Sequence, residues 1–271
     1  MFGWLQNGMS ENTGGRKIQS VDRTCDILQE LGERGASTVS ELAAGTDLSP
    51  GTVHTHLSTL ASNGFVQQVD GEYKLGMEFV PFGEWVRRQS PLYRAAKTEV
   101  DDLAHEYDAV AHLVTEYRGK TLTLYEMSGE EAVGKEVHTA KRGRPQTHIH
   151  CTAGGKAILA HLPEERTREI VERHGLPAYT SHTVTDEEAL YEELAEIREQ
   201  EYAINHEEVV HGNRAIGAPV LDDDGTVLGS VSMSGPASKW REERFQDELA
   251  DAVVRAANSV EINIHTADRH D

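Results

Sequence analysis

The chain has 271 residues, with 26 Lys and Arg against 46 Asp and Glu and a formal charge of −20, and it is long enough for two domains. No apolar run approaches the roughly 18 residues of a membrane span, and the N-terminus lacks the charged, apolar, small-residue succession of a signal peptide. Cys25 and Cys151 fall in different expected domains, which argues against a disulfide framework; the expectation is a soluble cytoplasmic protein without membrane association and without a cofactor.

Residues 1–15 read as a flexible tail, with Met9 as an alternative start. Val21, Cys25, Leu28 and Leu31 mark an amphipathic helix. Thr38, three residues before Glu41, has the capping-box spacing of a helix start, and Val39, Leu42 and Ala43 supply that helix's inward face. Gly45 is expected to break it, with Leu48 as a core plug after the turn. Ser49 then serves as N-cap and Pro50 as first helical residue, where the missing N–H costs nothing. Val53, Leu57 and Leu60 recur at i, i+4 and i+7 as a buried stripe. Gly51, Thr52, His54, Thr55, Ser58 and Ser62 form a small, polar opposite face, and Gly64 stops the helix. Phe65–Val69 and Glu72–Leu75, joined by Asp70-Gly71, are a hairpin signal. Two capped helices, a preceding helix and a hairpin make a winged helix-turn-helix, a device that lays its second helix in the DNA major groove.

Charge runs against that reading. Residues 16–78 hold five cationic side chains and nine acidic ones, where DNA-binding modules carry a basic footprint. Either the segment does not bind DNA, or it works in molar salt, where at about 1 M the Debye length falls to roughly 3 Å and repulsion is screened. Excess acid with few lysines resembles the composition of haloarchaeal proteins, and the second explanation is favoured.

Residues 79–97 read as a connector helix, interrupted near Pro81 and Pro91. Strands are expected at 110–117 and 121–127 around Arg118-Gly119-Lys120, and at 203–205, 216–221 and 227–233. A polar helix is expected at 187–201, and Phe245, Leu249, Val253, Ala256, Val260 and Ile264 define a long C-terminal helix. This mixed order gives an α+β fold. Thr152-Ala153-Gly154-Gly155-Lys156 fails as a phosphate loop, because His150 and Ala157 stand where glycine and Ser/Thr are needed. Two explanations remain for these glycines: an anion-holding start of a helix at 156–161, or close packing of helix on sheet.

Four segments together resemble the IclR family of transcription regulators: IQSVDRTCDILQEL at 18–31, SPGTVHTHLSTLASNGFV with YKLG at 73–76, HCTAGGKAILAHL at 150–162, and EEVVHGNRAIGAPVLDDDGTVLGSVSMSGP at 207–236. The resemblance implies a winged helix-turn-helix at 16–78, a linker helix at 79–97 and an effector-binding domain at 98–267 with a GAF- or profilin-like fold, a twisted antiparallel sheet flanked by helices. It implies a homodimer or homotetramer bound to a palindromic site on double-stranded DNA and responsive to a small molecule, an organic acid or sugar-derived metabolite. By position, Ser49, Gly51, Thr52, His54, Thr55, Ser58 and Lys74 would contact DNA. Thr147, Ala153, Gly154, Asn205, Asn213, Ala215, Ser232 and Ser234 would line the effector pocket, with Ser232 and Ser234 on the same face of one strand. Three departures stand out. Thr55-His56 follows Thr-Val-His where a basic residue is common, Asn205 replaces an acidic residue, and Ala215 replaces cysteine or serine. A pocket of hydroxyls, amides and backbone N–H groups suits a small polar metabolite, anionic in the favoured reading.

The 14 histidines include His148 and His150 beside Cys151, with His206 and His211 on a later segment. Imidazole and thiolate are zinc ligands, but this spacing matches no standard structural site, and ordinary core positions are the favoured explanation. No catalytic motif appears, and adjacent residues such as His150 and Cys151 would point to opposite faces of a strand; an enzyme is not expected. A protein-interaction module whose helix-turn-helix no longer binds DNA is the alternative to a regulator.

Overall fold

The computed structural model describes residues 17–132, 146–241 and 244–268; the expected tail at 1–15 lies outside them. The chain forms two compact units, one extending to Gln89 and the other beginning at Ser90.

The first unit opens with α1, Gln19–Arg34. Ile27 and Leu31 are its buried residues, with Leu28 partly buried, whereas Val21 and Cys25 of the expected stripe are exposed. Helix α2, Val39–Thr46, starts with the reciprocal Thr38–Glu41 capping box. It does not stop at Gly45. The left-handed residue is Asp47, at φ 54°, and Gly45 lies within the helix because a Cβ there would strike the side chain of Glu30 on α1. Helix α3, Pro50–Ser62, is capped by Ser49, whose side chain accepts from Thr52 N–H. Its end is a Schellman motif: Gly64, at φ +78°, donates to Ala61 O, and Phe65 donates to Leu60 O. Strands β1, Val66–Val69, and β2, Glu72–Leu75, pair through a turn in which Asp70 and Gly71 both have positive φ, the geometry that twists with the strands. Ser37 and Tyr73 exchange backbone hydrogen bonds of 2.9 and 2.7 Å and extend this wing. The core beneath gathers Ile27, Leu31, Leu42, Val53, Leu57, Leu60, Val66 and Tyr73; each fully buried aliphatic side chain contributes about 1.5–3 kcal/mol. Helix α4, Phe79–Gln89, closes the unit with no buried residue of its own, and its Phe79 and Phe82 pack on Phe65. Pro81 does not interrupt α4. It stands in the first turn, where backbone N–H groups have no helical partner to lose.

The second unit begins where Ser90 caps α5, Pro91–Glu106, so the sequence around Pro91 separates two helices. Six strands follow in the spatial order β5-β4-β3-β8-β7-β6, all neighbours antiparallel. They are β3 Val110–Tyr117, β4 Lys120–Ser128, β5 Gln146–His148, β6 Ala203–His206, β7 Asn213–Leu221 and β8 Val227–Pro236. Helices α6 Ala153–His161, α7 Glu164–His174 and α8 Glu187–Gln200 lie between β5 and β6 in sequence, and α9, Ala250–Asp268, ends the unit after a π turn at Phe245–Leu249. Helices α5 and α9 cover one sheet face over Ala111, Leu113, Ile216, Val231 and Met233. Helix α6 lies on the other face, backed by α8. All six apolar positions expected on the C-terminal helix are buried.

Strand β4 contains a bulge. Leu113 faces Tyr125 but Val114 faces Thr123, so Leu124 has no opposite number. The bulge brings Glu126 and Ser128 above it, and Thr121 and Thr123 below it, to the same face as α6. No described helix is long and apolar enough to cross a membrane.

Candidate functional site

On α3 the buried stripe Val53, Leu57 and Leu60 fixes which residues point outward. Gly51, His54, Thr55 and Ser58 are exposed, and Thr52 is half-buried. Ser49 and Thr52 hydroxyls stand 2.8 Å apart at the helix start, and Thr55 donates to Gly51 O at 2.9 Å, so these hydroxyls are held in place by their own helix. Lys74 is exposed on the wing. His56, absent from the expected contact set, holds α3 to α1 through Nδ1 and Thr24 Oγ1 at 2.8 Å. Thr24 already gives its proton to Ser20 O, so His56 Nδ1 is the donor.

In the second unit Thr152 caps α6, accepting from Gly155 N–H at 3.0 Å. The helix therefore begins at Ala153, three residues before the expected start, and both glycines lie in its first turn. Close packing accounts for them. A Cβ on Gly154 would stand 2.7 Å from Ser230 Oγ and 2.8 Å from Val114 Cγ2, and one on Gly155 would strike Ile149 O. Gly217 on β7 completes the approach, because a Cβ there would meet Gly154 N at 2.9 Å. Ser230 donates to Gly154 O at 2.9 Å and ties the helix start to the sheet.

This contact brings Ala153, Gly154 and Ser232 together. Ser232 and Ser234 share the α6 face with Ala215 and Asn213, the register pairing Ala215 with Ser234 and Gly217 with Ser232. Thr147 pairs with Thr121 at the far edge, next to the Thr152 cap. Asn205 acts as a brace: it is buried, its amide N–H donates to Cys151 O, and its Oδ1 accepts from Glu208 N–H.

Two groups missed by sequence reasoning sit beside these residues. His112 and Glu126 continue the Gly217–Ser232 row across β3 and β4, with Nε2 to Oε2 at 3.5 Å. Lys156 is 1% exposed and its ammonium donates to Glu193 and Glu208. Burial pushes the Glu208 carboxyl above the usual range, against the pull of Lys156. No local pattern signals this triad, since its partners lie far away in sequence. The hairpin flanking Arg118-Gly119 makes β3 and β4 neighbours, but regular pairing from that turn would set His112 opposite Tyr125, and only the bulge brings Glu126 there.

The metal candidates do not converge. Among the described residues no three His, Cys, Asp or Glu side chains form a metal site. The rings of His148 and His150 are 6.1 Å apart, Cys151 Sγ donates to His148 O, His206 packs near Phe245, and His211 near His182. His150 is buried with Nε2 unpaired beside a small cavity that His148 and His174 also line. Burial pushes its pKa down to about 4. Cys151 lies in the turn Ile149–Cys151 rather than in a strand.

A helix-turn-helix with a hairpin wing, and a separate sensor sheet whose helix is seated by glycine and serine, are the two halves of a one-component transcription regulator. Residues 20–70 match the IclR helix-turn-helix domain, and residues 86–262 match the bacterial transcriptional regulator IclR C-terminal model. The chain is 39% identical over 253 residues to the probable HTH-type transcriptional regulator ArcR of Halobacterium salinarum, covering 93% of this chain and 96% of that one. The solved Thermotoga maritima IclR superposes with a TM-score of 0.68 at 25% identity, over 92% of this chain and 99% of that one. An IclR homologue from Microbacterium hydrocarbonoxydans complexed with 4-hydroxybenzoate superposes with a TM-score of 0.75 at 22% identity, over 91% and 99%. The chain belongs to the IclR family of transcriptional regulators. It is a DNA-binding regulator with an effector-binding domain, and not an enzyme.

Proposed function

We propose that the chain binds a palindromic operator as a homodimer or homotetramer and changes its grip when a small polar metabolite, anionic in the favoured case, enters the sensor domain. The observation that carries the DNA half is the exposed, capped face of α3, with Gly51, Thr52, His54, Thr55 and Ser58 outward and Ser49 and Lys74 flanking it. The effector would bind between the α6 start and the sheet, among Thr147, Ala153, Gly154, Asn213, Ala215, Ser232 and Ser234, with Asn205 as a brace. Domains of 16–78 and 98–267, linked by 79–97 and preceded by a tail at 1–15, describe this division, with the sensor of GAF- or profilin-like type.

The charge of −20 and the 39% identity to a Halobacterium protein support operation in concentrated salt. There, base contacts and shape carry affinity, because counterion release weakens. The test is footprinting in about 1–2 M potassium salt, where screening rescues a true binder. Replacing Thr52, His54 and Thr55 together by alanine abolishes the footprint and leaves the oligomer intact; an unchanged footprint refutes the assigned face.

A second reading rests on the five cationic against nine acidic residues at 16–78. It makes the unit a protein-interaction module with a vestigial helix-turn-helix. No footprint at any salt concentration favours it.

A further inference from the structure

We infer that His56 is a positioning residue for operator recognition: its hydrogen bond to Thr24 fixes the roll of α3 about its own axis, and operator affinity depends on that roll. The inference rests on the reading of the α3 face given above.

The bond joins the helix that reads to the helix behind it. His56 and Thr24 are both half-buried. His56 stands three residues after Val53 and four before Leu60, at the edge of the buried stripe of α3. Thr24 stands three residues before Ile27 and seven before Leu31, in line with the buried residues of α1. The remaining join is apolar: Val53, Leu57 and Leu60 share one core with Ile27 and Leu31. Apolar burial is non-directional, so it holds the helices together without fixing an angle between them. The hydrogen bond is directional and weakens steeply when bent. His56 Nδ1 donates at 2.8 Å to a hydroxyl oxygen whose own proton is committed to Ser20 O, also at 2.8 Å. The acceptor is thereby tethered to α1.

The reading face makes the angle matter. Helix α3 has no Lys or Arg, so no long flexible cation compensates for a misplaced backbone. Its hydroxyls lie one bond beyond Cβ and are pinned, Thr55 to Gly51 O at 2.9 Å and Thr52 to Ser49 at 2.8 Å. They move only as the helix moves. The major groove is about 8.5 Å deep, and side chains this short reach base edges only from a backbone seated at the right angle. His56 adjoins Thr55 and lies one turn beyond Thr52, so a roll that breaks its bond displaces both.

The test measures the affinity of the full chain, in about 1 M potassium chloride where repulsion is screened, for a duplex that the wild type selects from a random-sequence pool. His56→Leu keeps apolar bulk and drops the bond. It is expected to lose about ten-fold in affinity, the size of a misplaced base contact, with the urea midpoint and the salt slope unchanged. Thr24→Val removes the acceptor at similar volume and gives the same loss, and the double variant loses no more than either single one. His56→Asn restores the affinity, because its amide nitrogen takes the place of Nδ1; His56→Gln sets that nitrogen one bond too far and does not. A fall in the urea midpoint that accounts for the lost affinity marks a merely structural role, and a salt slope smaller by about 0.9 marks a direct phosphate contact; either overturns the inference. So do full affinity in His56→Leu, additive losses in the double variant, and failure of His56→Asn to recover. When alanine at Thr52, His54 and Thr55 abolishes binding and His56→Leu is silent, the reading face survives and the positioning role falls. A wild type that selects no duplex overturns both.

Discussion

Lys156 Nζ lies 2.6 Å from Glu208 Oε1, and the same ammonium donates to Glu193, so one buried cation serves two carboxylates from different elements. Glu208 and Glu193 each keep one buried oxygen without a partner. Lys156→Met strips both acids of their counter-charge and is expected to destabilise the sensor unit by about 3–5 kcal/mol. Urea unfolding followed by circular dichroism measures it. Adding Glu193→Gln and Glu208→Gln to Lys156→Met recovers much of the loss, because removing all the charges leaves none unpaired.

Glu208 also gives stability a pH dependence. Its carboxyl titrates above the usual 4.5 in the folded chain, so the folded state holds this proton more tightly than the unfolded state does. The resulting stability is complete below the unfolded pKa and disappears as pH rises through the elevated folded value. The stability difference between wild type and Glu208→Gln is therefore expected to shrink on going upward through that window. A constant difference from pH 4.5 to 8 contradicts the assignment.

His150 acts in the opposite direction. Its folded pKa is about 4 against an ordinary 6.5, so its contribution is present above pH 6.5 and is lost as pH falls toward 4. Unfolding between those values takes up about one proton at this site. His150→Phe removes that proton from the pH dependence of the urea midpoint, and an unaltered dependence refutes the assignment.

Gly217→Val places a branched side chain where even a Cβ meets Gly154 N at 2.9 Å, Ser232 Cβ at 3.0 Å and Ala153 C at 3.1 Å. Two of these are backbone atoms of α6 that cannot rotate away. Overpacking of this kind costs about 1–3 kcal/mol and lifts the helix start from Ser232. Thermal unfolding reads the loss. Effector binding measured by calorimetry falls with it, while the DNA footprint without effector is retained.

Helix α3 carries no Lys or Arg, and Lys74 is the cation on the wing. The affinity for operator DNA is thus expected to vary weakly with salt, with a log–log slope smaller in magnitude than about 3, where each neutralised phosphate contributes about −0.9. Footprint titrations from low to molar potassium salt measure the slope, and a value near −10 places many phosphate contacts elsewhere on the chain.

Features written in consecutive residues were legible in the sequence. Ser49, Pro50 and Gly64 delimit α3, and Asp70-Gly71 and Arg118-Gly119 both have the paired positive φ of tight hairpins. Features that depend on distant residues were not. Gly45 looks like a helix breaker until Glu30 fills the space its side chain would need. Val21 and Cys25 have the right period for burial, but the core closes around Ile27 and Leu31 instead. Helix α7 offers only Thr167, Ile170 and Val171 to bury, too short an apolar stripe to mark a helix. In the candidate site, Ser232 and Ser234 were legible from strand alternation. Lys156 was not, because its acids lie 37 and 52 residues away, and Glu126 was not, because its face is decided by an irregularity in pairing.

That irregularity absorbs one residue more than the partner strand can pair. Were Leu124 drawn into the ladder, one half of β4 would have to turn over, sending either the acid and serine at its end or the threonines at its start into the oily layer of Tyr93 and Leu103. A relative that kept this residue but paired it would need new chemistry at four neighbouring positions to keep a wettable floor. Among related regulators, whether this extra residue is bulged or paired would thus sort sensors by what they can recognise before any side chain is compared.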